Sequence, residues 1–306
     1  MAPARQRATG VYDHRPPLRR PFTQGRGVSS TQIDPEQYRA FRQFLEQSCG
    51  IVLGENKQYL VNSRLGQLMQ REGIADLGGL LWRIQDRPMG GLRGRVIEAM
   101  TTNETQWFRD NYPFQILQEL VFPELVKRKK QQIRVWSAAC SSGQEPYSVS
   151  IALQEFQSRG GRLEAEILGT DISPAMVNQA RLAQYNASAI SRGLSPDRLS
   201  RYFHSVEPEV WKVRPEIHRR VRTQQHNLLE SYAALGRFDL IFCRNVLIYF
   251  STESRQDIVR RICQQLQPGG YLVVGASESL ARHNDDLEMV RTHGAVIYRR
   301  RFPGGR

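Results

Sequence analysis

From residue 101 onward, short apolar runs alternate with stretches of helical periodicity, and few architectures can absorb that alternation. Ile133–Ala139 (IRVWSAA), Ala165–Thr170 (AEILGT) and Phe238–Cys243 (FDLIFC) read as strands buried on both faces. A helix opens at Glu145-Pro146 and runs to about Phe156, and Ser173-Pro174 supplies the cap and first turn of another. A further helix runs from about Thr252 to a Pro268-Gly269-Gly270 turn, before late strands at Tyr271–Gly275 and Ala295–Arg299. Strand–helix alternation of this kind predicts a parallel sheet with right-handed crossovers, an α/β class. One stretch breaks the rhythm. After a helical segment at Pro196–Phe203, residues Glu209–Gln224 alternate with period two, which predicts a small antiparallel β-subdomain inserted at about 205–226.

Upstream the grammar is purely helical. Asp34 is placed as an N-cap with Pro35 at the first helical position, and Tyr38, Phe41, Phe44 and Leu45 fall on one face. A second helix begins near Lys57 with the stripe Leu60, Val61, Leu65, Leu68 and Met69, showing Arg64 and Arg71 on its other face. Two shorter patterns follow, Leu80, Leu81 and Ile84, then Leu92, Val96, Ile97 and Met100. The expected organisation is a basic, disordered tail at 1–32, a small all-α domain at 33–100, and an α/β domain at 101–306.

Composition narrows the classes. No apolar run approaches the ~18–20 residues of a membrane span, and the first thirty residues lack the apolar core of a secretory signal. Cys49, Cys140, Cys243 and Cys263 form no CxxC pair, so a reduced, cytoplasmic protein is expected. The histidines show neither HxH nor HExxH spacing, so no metal site is expected. The net charge of +13 rests on 38 Arg and only five Lys. That skew fits either a generic solvated surface or an acidic partner.

Asp171 carries the clearest chemical signal. An acid at the carboxyl end of the second strand of an open α/β sheet can accept the hydroxyls of an adenosine ribose, or it can cap the helix that starts at Ser173. The turn after the first strand is the second signal. Dinucleotide binding would need GxGxxG there, yet the chain has Ser137-Ala-Ala-Cys140-Ser-Ser-Gly143-Gln-Glu145, with one glycine followed by an acid. An acid repels pyrophosphate and attracts a cation, which favours the sulfonium and ammonium of S-adenosylmethionine over NAD.

Further segments complete a pattern. Met100-Thr-Thr-Asn103-Glu-Thr105-Gln-Trp-Phe-Arg109, Gly143-Gln-Glu145-Pro-Tyr-Ser, Gly169-Thr-Asp171-Ile, Leu194-Ser-Pro through Arg201-Tyr-Phe203, and Phe242-Cys-Arg-Asn245-Val-Leu-Ile-Tyr249-Phe occur in order. Together they resemble the chemotaxis receptor methyltransferases, the CheR family, from about residue 33 to 300. The resemblance implies a Rossmann-like S-adenosylmethionine-dependent methyltransferase domain. It implies methyl transfer to glutamate carboxylates on the cytoplasmic methylation helices of chemoreceptors, giving methyl esters and S-adenosylhomocysteine. It places Asn103, Thr105, Arg109, Glu145, Asp171, Asn227, Leu228, Asn245 and Val246 against the donor. Arg109 and Tyr249 are expected to orient groups at the reaction centre, with a structural ion pair and core packing as their respective alternatives. Arg64 and Arg71 are candidates for docking the acidic receptor helix.

Two departures matter. The stretch from Phe203 to Glu216 lacks the glycine-containing insertion of members that grip a receptor tether, so tether-independent recognition is expected; a monomer is expected independently of this. The turn Cys140-Ser-Ser-Gly143-Gln144 varies on the usual form but keeps the glycine and the following acid. Nucleic-acid amino-methyltransferases usually carry D/N-P-P-Y/F after the fourth strand, where this chain has Arg244-Asn-Val-Leu-Ile-Tyr249, so no nucleic-acid partner is expected. A receptor-binding adaptor without turnover would differ by binding the donor and transferring nothing.

Overall fold

The computed structural model of the protein describes residues 33–86, 91–280, 286–292 and 294–302. The expected tail at 1–32 lies outside them. Four helices open the chain, α1 (Pro35–Cys49), α2 (Gln58–Arg71), α3 (Leu77–Asp86) and α4 (Leu92–Met100). α1 starts where its cap dictates, with Asp34 Oδ1 accepting from the backbone N–H groups of Glu36 and Gln37, both at 2.9 Å. Its buried face, Tyr38, Phe41 and Leu45, packs with Val61, Leu65, Leu80 and Val96 into a separate apolar core.

Among the described residues the remainder forms two sheets from ten strands. They are β1 (Gln132–Ala138), β2 (Glu164–Asp171), β3 (Gln184–Asn186), β4 (Phe203–Glu207), β5 (Val210–Val213), β6 (Val221–Gln225), β7 (Phe238–Cys243), β8 (Leu266–Val274), β9 (Leu287–Thr292) and β10 (Ala295–Arg300). The main sheet runs β6-β2-β1-β7-β8-β10-β9. Its first five strands are parallel, and β10 and β9 close the far edge antiparallel. The buried β7, FDLIFC, lies between cores on the two faces, one including the helix Gln144–Ser158 and the other the helix Thr252–Gln265. The strand order reverses between β1 and β7, so the loops after these two strands diverge and leave a crevice at their carboxyl ends.

Two sequence expectations are corrected. The expected small antiparallel sheet is present as β3-β5-β4, but its strands do not follow the expected bounds 205–226. Pro215–His218 is a helical turn, and Val221–Gln225 pairs in parallel with β2, from Ile167 opposite Val221 to Asp171 opposite Gln225. As an edge strand β6 presents one polar side, and that alternation mimics a hairpin strand. β3 is three residues long, too short to leave a periodic signature. The Pro268-Gly269-Gly270 segment is no turn between elements. β8 already begins at Leu266, and the segment is the bulge that shifts register against β7, where Phe238 faces Leu266 but Leu240 faces Tyr271.

Candidate functional site

The loops at the carboxyl ends of β1, β2, β6 and β7 meet around a cavity of about 260 Å³, roofed by the segment joining α1 to α2 and by Met100–Arg109. Arg64, Asn103, Thr105, Arg109, Glu145 and Asp171 line it. So do Asn227, Leu228, Asn245, Val246 and Tyr249, which leaves Arg71 as the predicted site residue outside the lining.

The turn after β1 is built tightly. Cys140 N–H bonds to Thr170 C=O at 2.8 Å, and Gly143 then starts the next helix at φ +95°. A Cβ on Gly143 would lie 2.9 Å from Ala180 Cβ and 3.0 Å from the Tyr185 hydroxyl, so glycine is required for the close approach as well as for the backbone angle. Two residues on, Glu145 sits in the first turn, where the helix dipole favours an acid. Ser137 Oγ donates to Glu145 Oε1 at 2.7 Å, and Arg244 Nη1 donates to Oε2 at 3.0 Å. Burial pushes the Glu145 carboxyl above the ordinary carboxylate range, opposed by Arg244, Ser137 and, less strongly, Arg109.

Asp171 ends β2 with its carboxylate already engaged. Oδ2 accepts from Ser141 N–H at 2.8 Å and Oδ1 from Ser173 N–H at 3.0 Å. The next helix is capped by Ser173, whose Oγ accepts from Met176 N–H at 3.2 Å; Asp171 braces that cap residue and borders the cavity with the same carboxylate. Each oxygen keeps a second lone pair for a ligand hydroxyl. Burial raises its pKa against the pull of these N–H donors.

Arg109 forms no ion pair among the described residues. The one hydrogen bond of its side chain is a long 3.4 Å contact from Nη1 to Glu104 C=O, while Glu104 pairs with Arg192. The backbone around it is unusual, with Phe108 at φ +48°, Asp110 at +64° and Asn111 at +53°. Non-glycine residues hold such angles only where surroundings impose them. Here Ser148 Oγ accepts from Phe108 N–H at 3.1 Å, and the Arg198 guanidinium lies 3.6 Å from the Phe108 ring centroid.

Arg64, the other docking candidate, is half-buried, and its guanidinium turns to Met100 C=O at 2.6 Å, Thr101 C=O at 3.0 Å and Thr102 Oγ1 at 3.0 Å. The end of α4 leaves carbonyls that need donors, and Arg64 supplies them. Arg71 stays exposed.

The helical domain is fastened over the cavity. Asn227 Nδ2 donates to Ser48 C=O at 2.8 Å, and Val52 N–H bonds to Tyr249 C=O at 2.8 Å. Gly50 caps α1 at φ +78° against the Phe250 ring, where an added Cβ would stand 2.1 Å from Cε1. Gly50→Ala is therefore expected to displace Phe250 or the roof. A loss of ~2 kcal/mol and a melting temperature lowered by several degrees are expected, together with weaker donor binding by calorimetry. A variant that melts and binds like the parent would contradict this packing.

Sequence reasoning missed Glu278, whose buried carboxylate accepts from Asn245 N–H at 2.6 Å, Gly275 N–H at 2.8 Å and Ile248 N–H at 3.3 Å. It fixes the loop after β7, where Asn245 adopts φ +57°. It also missed Arg244 and Asp110. Arg244 lay inside a quoted motif, but nothing local indicates that its partners come from 99 and 134 positions upstream. Among the described residues no group of three or more His, Cys, Asp or Glu is arranged to hold a metal ion, and no helix is long and apolar enough to cross a membrane.

Comparison with known proteins matches residues 36–101 to the CheR methyltransferase all-alpha domain and residues 103–296 to the CheR methyltransferase SAM binding domain. Chemotaxis protein methyltransferase Cher2 of Pseudomonas putida is 52% identical over 275 residues, covering 89% of this chain and 99% of the relative. Chemotaxis protein methyltransferase 1 of Pseudomonas aeruginosa is 54% identical over 266 residues, covering 86% and 97%. The chemotaxis protein methyltransferase of Vibrio parahaemolyticus is 45% identical over 274 residues, covering 89% and 99%.

Proposed function

We infer the reaction from one premise, that this chain belongs to the CheR methyltransferase family and takes S-adenosylmethionine as methyl donor. The reading is a protein-glutamate O-methyltransferase that esterifies glutamate side chains on the cytoplasmic helices of chemoreceptors. The observation that carries it is the free guanidinium of Arg109 at a cavity that also holds the Glu145 and Asp171 carboxylates.

When bound, the donor supplies an electrophilic methyl group on a sulfonium. The chain's own residues have the remaining tasks. Glu145 offers negative charge to the donor's ammonium, Asp171 offers lone pairs to its ribose, and Asn227-Leu228 border the adenine end. A glutamate substrate has a reference pKa near ~4.3 and arrives ionised at neutral pH, so no general base is required. What remains is orientation and exclusion of water. Arg109, in no ion pair among the described residues, has a planar guanidinium suited to a carboxylate, and Tyr249 lines the same cavity. The short β4–β5 connection, Pro208-Glu209, supports recognition without a receptor tether.

Labelled S-adenosylmethionine incubated with cytoplasmic chemoreceptor fragments tests the reading. Label should appear on receptor and leave as methanol in mild base, because glutamyl methyl esters hydrolyse there. Base-stable label would indicate a nitrogen acceptor, and donor binding without label on any receptor would favour an adaptor.

A further inference from the structure

Arg244 has no assigned role, yet it pairs with two carboxylates at the cavity. It follows β7 and its side chain is only 1% exposed. Nη1 donates to Glu145 Oε2 at 3.0 Å. Nη2 donates to Asp110 Oδ2 at 2.6 Å and to Arg109 C=O at 2.9 Å. One planar guanidinium thus grips the donor-side carboxylate with one nitrogen and the strained turn carrying Arg109 with the other. The Arg109 side chain has almost nothing else to place it, since its long contact to Glu104 C=O is its one hydrogen bond. Its position is set through its backbone, and Arg244 holds that backbone.

We propose that Arg244 is a positioning residue that locks the donor-binding acid Glu145 and the acceptor-orienting Arg109 into one rigid unit. This rests on the glutamate methyltransferase reading above. The two halves are separable by chemistry. Glu145 needs a neighbouring cation, which any positive charge supplies. The Arg109 turn needs two donors in a fixed fork, which an ammonium on a flexible stem cannot reproduce while also reaching Glu145.

The test uses the full chain, donor affinity by calorimetry, and kcat and KM on a receptor fragment. Arg244→Gln is expected to weaken donor binding at least 5-fold and to lower kcat/KM for receptor at least 100-fold. Arg244→Lys is expected to restore donor affinity to within about 3-fold of the parent and leave kcat/KM for receptor at least 30-fold down. A general loss of packing would not produce that split. Asp110 has a side chain 32% exposed, so Asp110→Ala guards against a variant that fails to fold. It should keep donor affinity within 2-fold while receptor kcat/KM falls about 10-fold. Lysine rescuing both parameters, or Asp110→Ala methylating receptor like the parent, would overturn the proposal. Parent enzyme that binds donor and methylates no receptor would instead overturn the functional reading, a result visible before any variant is made.

Discussion

Arg109→Ala is expected to lower the turnover number for receptor methylation at least 100-fold, while donor affinity, to which Arg109 also contributes, weakens less than about 10-fold. A factor of 100 corresponds to ~2.7 kcal/mol, the size associated with removing one well-placed charged donor from a reacting centre. The expectation follows from what Arg109 lacks. A structural arginine is paired, as Arg198 is with both oxygens of Glu155 and Arg244 is with Glu145 and Asp110. Arg109 borders the cavity with its fork unspent. Because its one bond to the cavity backbone is the long 3.4 Å contact to Glu104 C=O, truncation should disturb the pocket little. Arg109→Lys should recover only part of the loss, since an ammonium restores charge without the bidentate geometry. Single-turnover assays at saturating donor, paired with calorimetry, separate the two effects. If Arg109→Ala leaves both turnover and donor affinity unchanged, Arg109 has no place at the reaction centre.

The sequence made this site legible to the extent that its signals were local. Asp34-Pro35 states where α1 begins, because a cap and its helix are neighbours. Asp171 is legible because strand ends in a parallel sheet point to the ligand crevice, and that rule needs only the strand and its last residue. The roof was not legible. Gly50 against Phe250 and Asn227 against Ser48 join residues roughly 180 to 200 positions apart, and neither side carries a pattern that announces the other. The partners of Arg64 were hidden for a related reason. Helical periodicity gives the face a residue occupies, but not that the end of α4 presents three acceptors to that face. β6 failed because an edge strand of one sheet and a strand of a hairpin share the same alternation, and only pairing with β2 distinguishes them.

Asp171→Asn should weaken donor binding at least 50-fold, and the structure gives two independent reasons. The first is charge and acceptor number toward the donor's ribose. The second is internal. The carboxylate takes one backbone N–H on each oxygen, from Ser141 and Ser173. An asparagine has one acceptor and one NH₂, so whichever way the amide turns, an N–H faces an N–H. A buried donor left without a partner costs about 1–3 kcal/mol, and the Ser141 turn that also lines the cavity should loosen. The variant should melt a few degrees below the parent and show a much smaller donor-induced rise in melting temperature. The pH dependence makes the assignment sharper. Burial raises the pKa of both Asp171 and Glu145. For the free protein, a raised carboxyl pKa contributes stability that is fully present below the unfolded value of about 4 and lost as pH rises through the folded value. Donor affinity runs the opposite way. It requires both groups ionised, so it should decline on acidification at a higher pH than ordinary carboxylates would dictate. Asp171→Asn removes one of the two titrations, so its weaker donor affinity should fall less steeply with acid, with the remaining limb belonging to Glu145. An unchanged acid limb in Asp171→Asn would mean that Asp171 only braces the Ser141 and Ser173 backbone and that the ribose is held elsewhere.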